Sequence, residues 1–300
     1  SWEHWGVPGE EARASFARMV GVPVETVAIG PNVSSMIGLV AASIPDGARV
    51  LAPDVEFTSL LFPFLVQERR GVSVRLVPTG ELAGEIDRDV DVVAFSAVQM
   101  ATGEVADLDA IAQVAHEHSV LTVVDATQAV GWLPIDASRF DVVAAHGYKW
   151  LLSPRGTAYM AIRSELMQTV VPGTAGWYAG EDPLATFFGP PLRLAASARR
   201  LDTSPAWFMW AASAPALATL EEIGIDTIHA HDVALANRFR ADLGLEPGDS
   251  AIVMSDAPGT AEKLERAGIQ AAVRGGRLRT SWHVYNTEGD VDRTLDALSA

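Results

Sequence analysis

Short apolar runs rich in Val, Ile, Ala and Leu alternate with amphipathic stretches from about residue 25 to residue 165. The runs at 27–30, 49–52, 72–77, 91–96, 121–125, 141–145 and 157–162 read as strands. Most are continuously apolar and lack the alternation of a half-solvated sheet. That is the pattern of strands covered on both faces of a mostly parallel sheet. Between them, residues 34–43, 57–70 and 107–118 carry helical patterns; Gly71 ends the second and Asp107 is placed to cap the third. This alternation predicts an α/β fold with ligands beyond the carboxyl ends of the strands.

The rhythm changes near residue 165. Residues 172–191 are rich in Gly, Pro and aromatics and read as a long structured loop, a kind of segment that is often functional in compact domains. Helices over 205–223 and 228–243 follow. A strand at 251–255, a helix at 260–267, strands at 269–273 and 277–282 and a last helix from 288 complete a small α+β unit. The expected organisation is a large α/β domain over 1–224 and a small α+β domain over 225–300, without internal repeats or low-complexity tracts.

Composition narrows the function. The chain has 300 residues, 49% hydrophobic and 20% charged, which is globular rather than disordered. With 22 basic and 38 acidic residues the formal net charge is −16, which argues against a sequence-independent nucleic-acid partner. The absence of Cys removes disulfides, thiolate metal sites, iron–sulfur clusters and a cysteine nucleophile. The apolar runs are too short for a membrane span, and no metal site is expected. No signal-peptide pattern is visible, so a cytoplasmic location is the default expectation, although the chain begins at Ser1 without Met.

Three constellations carry candidate chemistry. Lys149 stands at the exit of the 141–145 run, and the chain's other lysine is Lys263. A lysine in partly dry surroundings has a depressed pKa and attacks aldehydes; a solvated turn lysine is the plainer reading of this segment alone. Asp125 ends an apolar strand at the same expected edge, where it can hold a protonated ring nitrogen or simply cap the next turn. At 30–39, Gly-Pro-Asn-Val-Ser-Ser-Met-Ile-Gly-Leu puts small and hydroxyl residues between a strand and a helix. Free N–H groups there attract phosphate, with Ser34 or Ser35 as hydroxyl donor, and a serine N-cap is the alternative.

Taken in order, three blocks carry a resemblance: Val-Asp-Ala-Thr-Gln-Ala-Val-Gly at 124–131, Gly-Tyr-Lys-Trp-Leu at 147–151 followed by Pro-Arg-Gly at 154–156, and Leu-Arg-Thr-Ser-Trp-His-Val-Tyr-Asn-Thr at 278–287. Over roughly residues 10–300 the chain resembles the class V pyridoxal-phosphate-dependent aminotransferase family, the group of cysteine desulfurases, kynureninases and isopenicillin N epimerase-like proteins. The resemblance implies an aspartate-aminotransferase-type fold, pyridoxal 5′-phosphate as cofactor, a small amino-acid-like substrate and a homodimer. It makes Lys149 the Schiff-base lysine, pairs Asp125 with the pyridine nitrogen and sets Gln128 near the phenolic oxygen. Val33 (through its backbone) and Ser34 fall at the phosphate-binding pair, Phe57 at the ring-stacking position, and His146 and Tyr148 at two phosphate-contacting positions. Ser204 falls where a threonine reaches the phosphate from a neighbouring subunit, on an alignment that needs a one-residue gap. Arg279 takes the place of the arginine that grips a substrate α-carboxylate; its planar fork suits that partner.

Gln99 after a buried strand and Trp177 and Tyr178 in the long loop are further candidates to line the substrate pocket, or to serve the turn and the loop. His283 and Tyr285, flanking Arg279, read as structural. Departures from the family pattern are equally informative. His146 and Tyr148 replace a small residue and a His, Phe57 replaces the stacking His of desulfurases, and the desulfurase persulfide Cys has no counterpart. The usual N-terminal segment is also lacking from the sequence as it stands. The expected activity is therefore aminotransferase-like and not cysteine desulfuration, with an epimerase or a Cβ-eliminating lyase as alternative, and a catalytically inactive binding protein of the same fold as a third.

Overall fold

In a computed structural model the structure describes residues 2–256, 260–274 and 276–299; Ser1 and Ala300, the outer ends of the two expected domains, lie outside them. The first element is a helix that the apolar pattern does not announce, α1 (Trp2–Met19), because Gly6, Pro8 and Gly9 interrupt its periodicity. There follow β1 (Val27–Gly30), α2 (Val33–Ser43), β2 (Arg49–Pro53), α3 (Thr58–Leu65), β3 (Ser73–Val77) and β4 (Val92–Ser96). Next come α4 (Leu108–His118), β5 (Leu121–Asp125), β6 (Val142–His146), β7 (Ala158–Ile162) and the short α5 (Ser164–Met167). The last part holds α6 (Trp207–Ile223), α7 (Ile225–Asp242), β8 (Ile252–Ser255), α8 (Thr260–Arg266), β9 (Ala272–Arg274), β10 (Arg277–Ser281) and α9 (Glu288–Ser299).

Among the described residues, seven strands form one sheet in the order β1-β7-β6-β5-β4-β2-β3, and three form a second in the order β8-β10-β9. In the large sheet only β7 runs against its neighbours. Both faces are covered, as the unbroken apolar runs predict. In β6, Val142 and Ala144 join the core beneath α2 and α3, while Val143 and Ala145 join the core beneath α1, α4 and α6. Strand β3 departs from that reading: it is the sheet edge, and Ser73, Arg75 and Leu76 are exposed.

The helix expected over 57–70 breaks into α3 and a 3₁₀ segment, Val66–Arg70, because Pro63 removes an internal N–H; Gly71 then ends it in the left-handed region at φ +78°. Helix α2 is capped by Asn32, whose side chain accepts from the Ser35 N–H, and not by a serine. Helix α1 is anchored by Arg13, which is buried. Its guanidinium donates to the Val27 carbonyl and to Asp202 at 2.6 Å each, and Asp202 also accepts from the Ile29 N–H at 2.8 Å.

Gly224, at φ +87°, separates α6 from α7. The small sheet has its own core, with Leu235, Phe239, Val253, Trp282 and Val291. Among the described residues no helix is long and apolar enough to cross a membrane.

Candidate active site

The carboxyl ends of β1, β2, β4, β5 and β6 point the same way, so the residues that follow them gather along one edge. One cleft there is lined by Phe57, Ser96, Met100, Asp125, Thr127, Gln128, His146, Tyr148 and Lys149. The sequence placed six of these on three separate segments, and the topology brings them together.

Lys149 sits in a tight turn. The Ser153 N–H donates to the Gly147 carbonyl at 2.9 Å and the Leu152 N–H to the Lys149 carbonyl at 3.2 Å. Leu152 is forced to φ +52°, a left-handed conformation that a branched residue rarely adopts. Gly147 has no room for a side chain, since a Cβ there would lie 2.3 Å from Thr157 Oγ1. The Lys149 ammonium lies 5.3 Å from the Tyr148 ring centre. Burial lowers its pKa, and Arg279, Arg155 and Arg274 push in the same direction.

Asp125 is buried at the end of β5. One carboxylate oxygen accepts from the Thr127 N–H at 2.8 Å, which leaves the other for a donor in the cleft. Burial raises its pKa to about 6, the Thr127 hydrogen bonds oppose the rise and the charge of Glu56 adds to it. His146 accepts from the Val33 N–H through Nε2 at 3.3 Å. The neutral ring then carries its proton on Nδ1, which is buried without a partner. Burial first, then Lys149 and Arg155, lower its pKa to about 4. Ser34 turns its hydroxyl onto Asn32 at 2.9 Å.

Gln128 links the two sheets. Its Oε1 accepts from Trp150 Nε1 at 3.0 Å and from Arg279 Nη2 at 3.2 Å, and its Nε2 is left over for the cleft. Arg279 is mostly enclosed; burial, then Arg274, lower its pKa to about 10, and its Nε has no acceptor. A second tie runs from His283. Its Nδ1 accepts from the Val284 N–H at 2.7 Å, so Nε2 carries the proton and meets the Trp150 carbonyl at 3.0 Å. Gly131 allows this packing: a Cβ there would lie 2.4 Å from the same carbonyl oxygen.

Glu56 was not singled out in the sequence. It is buried between β2 and β4, where it accepts from the backbone N–H groups of Phe57 and Ser96 at 2.7 Å each, from Gln99 Nε2 at 2.9 Å and from the Ser96 hydroxyl. The one signal available was an acid directly before the aromatic at a strand exit. Gln99 is wholly buried and reaches the cleft only through Glu56; its Oε1 has no partner. Trp177 packs edge-on against Tyr178 and at a tilt against Phe187, outside the residues that line the cleft. Ser204 is exposed on the loop before α6, also outside it.

Among the described residues, the site therefore has three complementary deficits. Asp125 is a buried acid without a cation, His146 Nδ1 and Arg279 Nε are buried donors without acceptors, and the charges bearing on Lys149 are all positive. A group with an anionic arm, a protonatable ring nitrogen and an electrophilic carbon fits all three.

A model of the aminotransferase class-V family matches residues 8–262, and the chain belongs to that family. It is 29% identical over 324 residues to an uncharacterized aminotransferase, YcbU, of Bacillus subtilis (strain 168), covering 100% of this chain and 85% of the relative. It is 29% identical over 341 residues to an isopenicillin N epimerase of Streptomyces clavuligerus, covering 97% and 83%. Among solved structures, a variant of C-DES with glycine covalently linked to its PLP cofactor superposes with a TM-score of 0.90 at 20% identity, covering 99% of this chain and 86% of that one. The fold is thus that of the PLP-dependent enzymes, as the sequence motifs implied, and the cofactor is pyridoxal 5′-phosphate.

Proposed function

We propose that the chain is an aminotransferase acting on an amino acid or related amine. The observation that carries this reading is the meeting of Lys149 and Asp125 in one cleft whose Gln128 accepts from Arg279, with Lys149 the one amine among the described residues that line it. Bound there, pyridoxal 5′-phosphate supplies an aldehyde that captures amines and a protonated ring that draws electrons from Cα.

Lys149 would hold the cofactor through its amine, which burial and neighbouring cations keep closer to the neutral, nucleophilic form. Asp125 would keep a proton on the ring nitrogen through its free oxygen. Gln128 would donate through Nε2 at the phenolic oxygen, and Phe57 would cover the ring. The phosphate would lie at the N-terminus of α2, against Val33, Ser34, Tyr148 and the His146 Nδ1–H. Exposure of Ser204 supports its use from a neighbouring subunit of a homodimer.

When free, the Lys149 amine would take the Cα proton as base and deliver it as acid to another carbon, on its own face only. Inversion at Cα needs a second proton carrier on the opposite face. Phe57 has none to give, which favours transamination over epimerisation. The lack of Cys leaves no thiol in this chain to accept sulfur, so cysteine desulfuration by a persulfide is not proposed.

The test is product analysis with an L-amino-acid panel and an α-keto acid as amino acceptor. The expected result is a new α-keto acid matched by amination of the acceptor. Racemised substrate, or ammonia and pyruvate formed without the acceptor, overturns this reading in favour of an epimerase or a Cβ-eliminating lyase.

A further inference from the structure

We propose that the amino substrate carries a second anionic group, a side-chain carboxylate, which Arg274 and Arg155 hold at the mouth of the cleft. This deepens the reading of the chain as an amino-acid enzyme and rests on it.

The β9–β10 hairpin pairs Arg274 with Arg277 and Ala272 with Arg279. Directly opposed residues of an antiparallel ladder share a face, as do residues two apart on one strand. Arg274, Arg277 and Arg279 therefore lie on one face, the face that delivers Arg279 to Gln128. Arg274 and Arg279 are diagonal neighbours on it, at about 7–8 Å between their backbones. Arg277 is neutralised by Asp256 at 2.6 Å. Among the described residues no acid pairs with Arg274: its guanidinium is exposed and donates to the carbonyl of its own neighbour, Val273, at 2.8 Å.

The segment that follows Lys149 contributes another guanidinium. Arg155 lies 4.1 Å over the ring of Tyr148, which lines the cleft beside Lys149. Its guanidinium is held in place by that stacking and keeps its N–H fork for an anion. Arg274 and Arg155 both bear on Lys149, as Arg279 does.

One α-carboxylate engages Arg279, and the phosphate has the end of α2 and His146. Two guanidinia that bear on Lys149 remain without an acidic partner among the described residues, in a chain whose net charge is −16. Cations gathered against the average charge of a protein focus its field on an anion. An aminodicarboxylate fits: one carboxylate on Arg279, the other between Arg274 and Arg155, and the amine toward Lys149.

The experiment compares kcat/KM of the holoenzyme for L-aspartate, L-glutamate and L-2-aminoadipate with that for L-asparagine, L-glutamine and L-alanine at low ionic strength. At least one acid should exceed its isosteric amide by about tenfold or more. That ratio should fall toward one in Arg274→Gln, persist in Arg274→Lys and shrink at about 0.5 M salt. Calorimetry on the cofactor-free protein gives a readout independent of turnover: glutarate should bind about tenfold tighter than butyrate, and Arg274→Gln should remove the difference. Turnover of amides as fast as acids, or equal binding of the two probes, overturns the second-anion site and leaves the amino-acid reading standing. Failure of a cofactor-loaded enzyme to turn over any amino acid overturns both.

Discussion

Arg279 donates to Gln128 Oε1 at 3.2 Å, and the same oxygen accepts from Trp150 Nε1 at 3.0 Å. A strand of the small sheet is thereby tied to the turns that follow β5 and β6 in the large one. His283 adds a second tie at the carbonyl of Trp150, the residue next to Lys149, at 3.0 Å. The group proposed for carboxylate binding and the group proposed for amine chemistry are thus held in register by two hydrogen bonds through Trp150 and Gln128.

Replacing Arg279 by Ala should raise KM for carboxylate-bearing amines, with a loss in kcat/KM of about 2 kcal/mol, or roughly thirtyfold. An amine without a carboxylate should lose much less. Steady-state kinetics on matched pairs of amino acid and decarboxylated amine measure the difference, and an unchanged KM for the amino acid removes Arg279 from substrate binding.

Asp125 should make the cofactor-free protein less stable as pH rises. Its native pKa is about 6 against an ordinary 3.8, because burial penalises the charged form. Between those values the native state binds more protons than the unfolded chain, so stability falls as pH climbs through the window. Asp125→Asn should therefore be more stable than the parent at pH 7 by about 1–3 kcal/mol, with no gain near pH 4, while losing most activity. Urea unfolding at the two pH values checks this, and a gain that is the same at both contradicts it.

His146 and His283 have the opposite sign. Burial holds both near 4 against an ordinary 6.5. The unfolded chain takes up protons between those values that the native chain refuses, so stability is lost as pH falls through the window. His283→Ala should cost about 1–3 kcal/mol at pH 7 by stranding the Trp150 carbonyl and the Val284 N–H. It should also flatten the acid limb of the stability profile, which a pH series of thermal melts resolves.

Asp202 should matter to stability more than to chemistry. It and Arg13 are both buried and join at 2.6 Å. Asp202→Ala leaves the Arg13 guanidinium enclosed and unpaired, at a cost of about 3–5 kcal/mol. Denaturation midpoints report the loss. A variant within about 1 kcal/mol of the parent contradicts the anchoring role of the pair.

The strands that build the cleft were legible because burial on both faces makes them continuously apolar, and the residues at their exits stand out as polar breaks. Lys149, Asp125, Gln128 and His146 all carry that signature. Helix α1 was not legible, since Gly6, Pro8 and Gly9 blur its period and its place is decided by packing on α6 and by the remote Arg13–Asp202 pair. Glu56 was missed for a related reason. Its partners at the end of β4 and just after it lie 40 and 43 residues away, and a carboxylate that accepts several hydrogen bonds looks in sequence like any surface acid. Gln99 drew attention for its own chemistry, yet its amide serves Glu56.

The central claim is that Lys149 holds the cofactor, and it is tested most directly by borohydride reduction followed by peptide mass mapping. The chain offers two lysines, Lys149 and Lys263, and Lys263 lies on α8, where its amine donates to the Leu298 carbonyl at 2.9 Å. The account predicts a reduced pyridoxyl group on the peptide containing Lys149, none on that containing Lys263, and neither covalent cofactor nor turnover in Lys149→Ala. A pyridoxyl group on Lys263, or turnover that survives Lys149→Ala, would contradict it.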